Sequence, residues 1–213
     1  MANILASLRL SRRAGTALLL SLCLLSAAIA QASDGHATLL SLYKEFRAFV
    51  PPPLVNGVPD YSAAAMAAHR QELTGFQKRL AAIDDRDWPV SKRIDYMLVL
   101  AEMRGLEFQH LVVRPWERDP AFYSTTNLGF GPKMHGAMAI PALPLKEREA
   151  AELESRLAAV PAILAQARNN LTDPRGDLAR LAIVQKGIER NVYERLAREL
   201  AQPYPSTAAA ALA

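Results

Sequence analysis

The feature that most limits what this chain can fold into is a helical rhythm of apolar residues, interrupted by proline at a few definite points. In "ATLLSLYKEFRAFV" the residues Leu39, Leu42, Tyr43, Phe46 and Phe49 or Val50 recur at helical spacing behind Asp34, which is suited to cap a first helix. "PPPLVNGVPD" ends it, because consecutive prolines lack the amide hydrogens that a helix uses, and the segment reads as an extended loop. A second helix is predicted from about Tyr61 to Ile83, with Met66, Leu73, Phe76 and Leu80 on one side and Arg70, Gln71, Lys78 and Arg79 on polar positions. After "DDRDWPVSKRID", where Asp87 or Ser91 can cap, a third runs to about Val113. It is apolar nearly all round, with one polar seam at Asp95, Glu102 and Gln109, and this pattern predicts a central, mostly buried helix.

The rest of the chain continues the rhythm. Lys146 to Ala159 and Pro161 to Leu171 form one helix bent at Pro161, or two, with Leu153, Leu157, Val160, Ile163 and Leu164 as the apolar set. "TDPRGD" is a turn, and Asp177 can cap a last long helix to about Leu200 that carries Leu178, Leu181, Ile183, Val184, Ile188, Val192, Tyr193 and Leu196. Residues 201–213, rich in Pro and Ala, read as a disordered tail. No stretch alternates convincingly and there is no internal repeat. The expected fold is all-α: an antiparallel, bundle-like array of about five to six helices over residues 33–200, with a long irregular loop after the third.

Residues 1–30 read as an export signal. Arg9, Arg12 and Arg13 precede the apolar run from Ala14 to Ile29, which is short for a membrane span, and small residues allow cleavage after Ala30 or Ala32. The expected location is therefore periplasmic or secreted, with no stable membrane span after cleavage. Those thirty residues hold three arginines and no acid, so removing them lowers the formal net charge from +4 to +1. A nearly neutral chain without a basic run gives no electrostatic reason to expect nucleic acid as a partner. Cys23, the only cysteine, leaves with the signal, so neither a disulfide nor a thiolate is expected to hold the remainder together.

Few residues invite a catalytic reading. His36, His69, His110 and His135 form no H-E-x-x-H pair, and His110 near the end of the third helix suits the negative end of the helix dipole. Gly131 and Gly136 in "GFGPKMHGAM" have phosphate-loop spacing, but Ala137 and Met138 stand where Lys and Ser or Thr are needed. G-x-S-x-G is absent, and Arg190, Glu194 and Arg198 at i,i+4 spacing read as a solvated face. Asp95 and Glu102 could line a cleft, although an exposed stripe explains them more simply. In "RPWERDPAFY", Pro115 stops the third helix and holds Arg114 out of helical conformation. Trp116 and Tyr123 are large enough to pack back onto the helices, and Arg114 with Asp119 offers a charge-assisted pair that would fix a rigid corner.

That corner carries a resemblance. Arg114, Pro115, Trp116, Asp119, Pro120 and Tyr123, followed by Arg156, Leu157, Pro161, Leu164, Gln166, Ala167, Arg168 and Leu171, resemble the N-terminal part of the bacterial domain-of-unknown-function 885 family, and the likeness extends over most of the chain after the signal. It implies an exported, zincin-like, metallopeptidase-like protein whose zinc is held by an H-E-x-x-H helix in a C-terminal part that this sequence does not contain. No catalytic, cofactor or metal residue carries over, so zinc is expected only with that C-terminal region and the chain alone is catalytically incomplete. What carries over is a role: helices forming part of the wall of a cleft for a peptide or small-molecule substrate. The alternative is a freestanding periplasmic helical binding or interaction protein without catalysis. Exposed apolar surface separates the two, since part of a larger fold should leave the third helix or its neighbours poorly covered.

Overall fold

A computed structural model describes residues 35–129 and 133–213. The export signal with its cleavage after Ala30 or Ala32, the Asp34 cap and Gly131 of the glycine-rich loop lie outside the described residues. The fold is mostly helical, as the periodicity predicts. Its helices are α1 (35–49), α2 (Ala63–Ala81), α3 (Val90–Phe108), the short α4 (Pro115–Arg118), α5 (Glu147–Ala158), α6 (Val160–Asn170), α7 (Gly176–Leu200) and α8 (Pro205–Ala210). Among the described residues no helix is long and apolar enough to cross a membrane.

The chain divides into two compact units. The first holds residues 35–47 and Gly75–Met103, that is most of α1, the end of α2 and most of α3. Its buried residues include Leu39, Leu42, Phe46, Leu80, Val99 and Met103, and the Phe46 and Phe76 rings meet edge to face with centroids 5.8 Å apart. The polar seam of α3 is absorbed here: Asp95 pairs with His36 at 2.9 Å, and Glu102 accepts from Arg47 at 3.0 Å and from the Tyr43 hydroxyl at 3.3 Å. Each carboxylate has partners of its own on α1.

The expectation of a mostly buried α3 is overturned. Val99 and Met103 are buried, whereas Ile94, Met97 and Leu98 are 53%, 58% and 60% exposed, and Val90 is exposed with them. Apolar residues all round a helix give it two faces able to be buried. One neighbouring layer covers only the side holding Val99 and Met103.

The second unit holds Ala48–Thr74 and Arg104–Ala213. The segment read as an extended loop makes a tight hairpin instead: β1 (Leu54–Val55) pairs antiparallel with β2 (Val58–Pro59), through Asn56 and Gly57 at φ 51° and 79°. Asn-Gly supplies the two left-handed residues that such a two-residue turn requires. Further on, β3 (Thr126–Asn127) pairs parallel with β4 (Met138–Ala139). One core joins Leu153 and Leu157 of α5, Val192, Leu196 and Leu200 of α7 and Ala208 of α8. Pro161 divides α5 from α6 as predicted, sitting in the first turn of α6 where a missing amide hydrogen costs nothing. At the start of α5, Glu149 accepts from the backbone N–H of Lys146 at 2.9 Å.

Two further corrections concern this unit. Residues 201–213, expected to be disordered, contain α8, which packs on α5 and α7 with Thr207 1% exposed. Of its three alanines Ala208 is buried, small enough to let that short helix approach its neighbours closely, a property that composition alone does not separate from disorder. The second correction is the face of α7. Its first half buries Ala182, Gln185 and Glu189 and turns Leu181, Ile183, Val184 and Ile188 outward. Asp177 lies in the first turn of α7, which starts one residue earlier with Arg175 at the cap position.

Candidate functional site

The corner in "RPWERDPAFY" organises the second unit. Past Phe108 the helix widens into a π turn, Gln109–Val113, and Arg114 then adopts a left-handed conformation at φ 45°, ψ 57° with its N–H bonded back to Gln109 at 2.8 Å. A non-glycine residue there is strained by an amount that surrounding bonds must offset. They do so through the guanidinium, which reaches Glu117 at 2.8 Å and Asp173 at 3.4 Å. Asp173 also accepts from Arg118 at 3.0 Å and, within its own turn, from Arg175 at 2.8 Å, so the "TDPRGD" turn is tied to the corner by two arginines, Arg114 and Arg118.

The expected Arg114–Asp119 pair does not form. Asp119 is 2% exposed and caps the next turn, accepting from the N–H of Ala121 at 2.9 Å. A side chain two residues before a free amide has a local partner within reach, and this bond wins over a more distant charge. Pro120 opens the 3-10 turn Pro120–Tyr123 that follows. Tyr123 is buried and donates to the Trp116 carbonyl at 2.8 Å, while Asn170 donates to both the Tyr123 hydroxyl and the Tyr61 carbonyl. Trp116 and Tyr123 thus pack inward as predicted, in one core with Tyr61, Met66, Phe122 and Ile163.

Beside the corner lies a cavity of about 270 Å³. Pro115 and Trp116 line it, as do Tyr61, His69 and His110. His69 and His110 bond ring to ring, Nδ1 to Nε2, at 2.9 Å, and both are buried. The tautomers follow from the other partner. Phe49 offers His69 Nε2 a carbonyl at 3.1 Å, which can only accept, so His69 carries its proton on Nε2 and leaves Nδ1 as a lone pair. His110 must then donate through Nε2–H. Burial pushes both histidines below the ordinary value, His110 to about 4 with the His69 and Arg70 charges adding to the effect; the Phe49 carbonyl and Glu72 partly oppose burial at His69. His110 is therefore neutral near pH 7, and the helix-dipole role expected for it as a cation is replaced by this pairing.

Aromatic faces continue the line. Phe49 stacks on His69 at 4.1 Å between centroids, His110 lies 5.1 Å from Trp116, and Tyr61 meets Phe122 edge to face at 4.8 Å. The polar tips are incompletely used. The indole N–H of Trp116 is buried with no hydrogen-bond partner. The Tyr61 hydroxyl accepts from the His135 backbone N–H at 2.9 Å, which leaves its own proton to donate, and burial raises its pKa to about 12 so that the proton stays on.

A second buried polar group in this unit has the opposite character. Glu189 of α7 accepts from the backbone N–H groups of Thr125 and Thr126 at 2.6 and 2.7 Å, from both threonine hydroxyls, and from Lys186 at 2.6 Å. Burial works to raise its pKa, and the Lys186 charge with these hydrogen bonds outweighs burial and lowers it. Lys186 also donates to the Tyr123 carbonyl at 2.8 Å, and Tyr193 bonds the Thr125 hydroxyl. This explains the inverted face of α7: anchoring Thr125 and Thr126 at the start of β3 by a carboxylate turns Gln185 and Glu189 inward, and the apolar residues opposite them outward.

A larger cavity, about 500 Å³, is lined by Leu157, Pro161, Leu164 and Tyr193 together with Arg190 and Glu194. Those two charges pair with each other at 2.8 Å on the solvated face that the sequence predicts, and no buried lining atom there lacks a partner. The smaller cavity, with open donors on buried walls, is the better candidate for recognition. Of the signature residues, the structure places Pro115 and Trp116 in its wall, while Arg114, Asp119, Pro120 and Tyr123 build the corner behind them. His69, His110 and Tyr61 have no sequence signal of their own, since the residues that meet here are scattered along the chain. Among the described residues no group of three or more His, Cys, Asp or Glu is placed to hold a metal ion.

Compared with known proteins, the chain matches no family, no curated protein and no solved structure.

Proposed function

We propose that this chain is a helical wall of the substrate cleft in an exported zincin-like protein, supplying binding surface while zinc and general base come from elsewhere in that protein. The zincin-like part rests on the resemblance of Arg114, Pro115, Trp116, Asp119, Pro120 and Tyr123 to the domain-of-unknown-function 885 family. The observation that carries the wall reading is the outward apolar surface, Ile94, Met97 and Leu98 on α3 and Ile183 and Val184 on α7, which is the incompletely covered surface expected of part of a larger fold. The cavity beside the corner is the part of the wall that receives substrate. A freestanding periplasmic binding protein is the second reading, favoured by a cavity whose whole lining comes from the second unit of this chain.

The test is the intact mass, zinc content and peptide hydrolysis of the native protein from the periplasmic fraction. About one zinc per longer chain, with hydrolysis abolished by a chelator, supports the wall of a metallopeptidase-like enzyme. A zinc-free, inactive protein of this chain's own mass overturns it in favour of the binding protein.

A further inference from the structure

The cavity beside the corner is chemically one-sided. Its polar lining side chains are Tyr61, whose hydroxyl keeps a proton to donate, the two paired histidines, Gln109, His135 and Lys133, and Lys133 brings a positive charge. Among the described residues no aspartate or glutamate lines it. Lys133, exposed, uses one of its three N–H bonds on Asn127 at 2.6 Å and keeps the others for another acceptor. Trp116 is 6% exposed and its indole N–H is buried away from the cavity, so what it offers an occupant is the side of its ring. Around these donors the walls are apolar or aromatic, with Met66, Leu106 and Phe122 beside the faces of Tyr61 and Trp116. At about 270 Å³ the space falls below the usual range for drug-sized ligands and suits a molecule with one ring.

The geometry points to a small aromatic carboxylate as the occupant: its ring lies among the aromatic walls, Trp116 included, and its oxygens accept from Tyr61 and Lys133. Shape alone would admit an aromatic amine of the same size. Charge excludes it, because an ammonium would meet Lys133 with no carboxylate to receive it. The same chemistry occurs in a free aromatic acid and in the C-terminal aromatic residue of a peptide. This inference deepens the proposed function, resting on the cavity as the substrate-receiving part of the wall, and it does not depend on zinc.

The experiment is calorimetric titration of the chain with phenylacetate, N-acetylphenylalanine and phenethylamine, paired with the two tryptophan indole N–H signals in a proton–nitrogen correlation spectrum. Expected are heats for the carboxylates, binding of phenethylamine weaker by at least about tenfold, and a shift of the Trp116 indole signal while that of Trp88 stays in place. Tighter binding of N-acetylphenylalanine identifies a peptide end, and tighter binding of phenylacetate a free acid. Lys133→Gln, a change at an exposed position, should weaken both carboxylates and leave neutral benzyl alcohol unaffected. Equal binding of the amine, carboxylate heat without a Trp116 shift, or no binding by any probe overturns the inference. A zinc-free chain that binds phenylacetate would sink the proposed enzyme and keep the ligand; a zinc enzyme that binds none of the probes would do the reverse.

Discussion

The second unit holds two buried polar groups that use opposite strategies. At Glu189 the carboxylate accepts from two backbone amides, two hydroxyls and a lysine, and it stays charged. At His69 and His110 the groups stay neutral, one proton bridges the rings, and the cavity beside them keeps the Tyr61 hydroxyl proton free to donate. A saturated network fixes structure, since any change leaves a buried charge uncompensated. An unsaturated one beside a cavity has capacity left for a ligand.

The largest effect should come from the saturated side. Glu189→Ala removes the acceptor for two buried amides and strands Lys186, and should cost about 3–5 kcal/mol, read by chemical denaturation. A cost under about 1 kcal/mol would mean that the knot is not structural, and the comparison would fail.

Next comes acid. The folded-state pKa of His110 lies near 4 and that of His69 is also lowered, so below pH 6.5 the unfolded chain binds protons that the folded chain refuses. The stability present above pH 6.5 should therefore fall as pH drops toward 4, by about 3 kcal/mol for His110. Arg70 strengthens this trend at His110, and Glu72 weakens it at His69. Denaturation midpoints for wild type and His110→Leu over this range make the check. A wild-type slope equal to that of the variant would remove the neutral pair from the argument.

A smaller effect is expected at Trp116. Trp116→Phe loses ring volume and also removes an unpaired buried N–H, so two opposing changes should keep the loss within about 2 kcal/mol, below the 3–5 typical of deleting a buried tryptophan side chain. A full-sized loss in a melting experiment would show that the indole N–H is not a liability in the free protein. The smallest effect belongs to Glu102→Ala on α3, an exposed side chain paired with exposed Arg47 and half-buried Tyr43; it should change stability by less than about 1 kcal/mol and leave any hydrolytic activity untouched. Loss of a hydrolytic activity with folding unchanged would restore Asp95 and Glu102 as a catalytic pair.

The helices were legible because their signals are local: apolar spacing, prolines that remove a donor, and a turn at "TDPRGD". The Asn-Gly hairpin is also a local signal, masked in the sequence by the three prolines before it, which favour an extended loop. The candidate site was half legible. Pro115, Trp116 and Tyr123 announced a corner, but nothing near His69 in sequence points to His110, forty-one residues on. Asp119 was assigned the wrong partner, since an amide two residues away was a nearer competitor than the charge of Arg114.

By itself, the sequence determined that this protein is helical, where its helices break, and which large residues form the corner, because backbone donors and side-chain periodicity act over a few residues. Only the tertiary structure decided which face each helix buries and which polar groups meet. α3 is apolar on two sides and offers no local preference between them, and α7 turns Ile183 and Val184 outward because Glu189, on the same helix, bonds a strand more than sixty residues away in the chain. Burial and long-range pairing depend on what the rest of the chain places alongside, and for α7 the bonds gathered by one charged group outweighed the apolar side of its own helix.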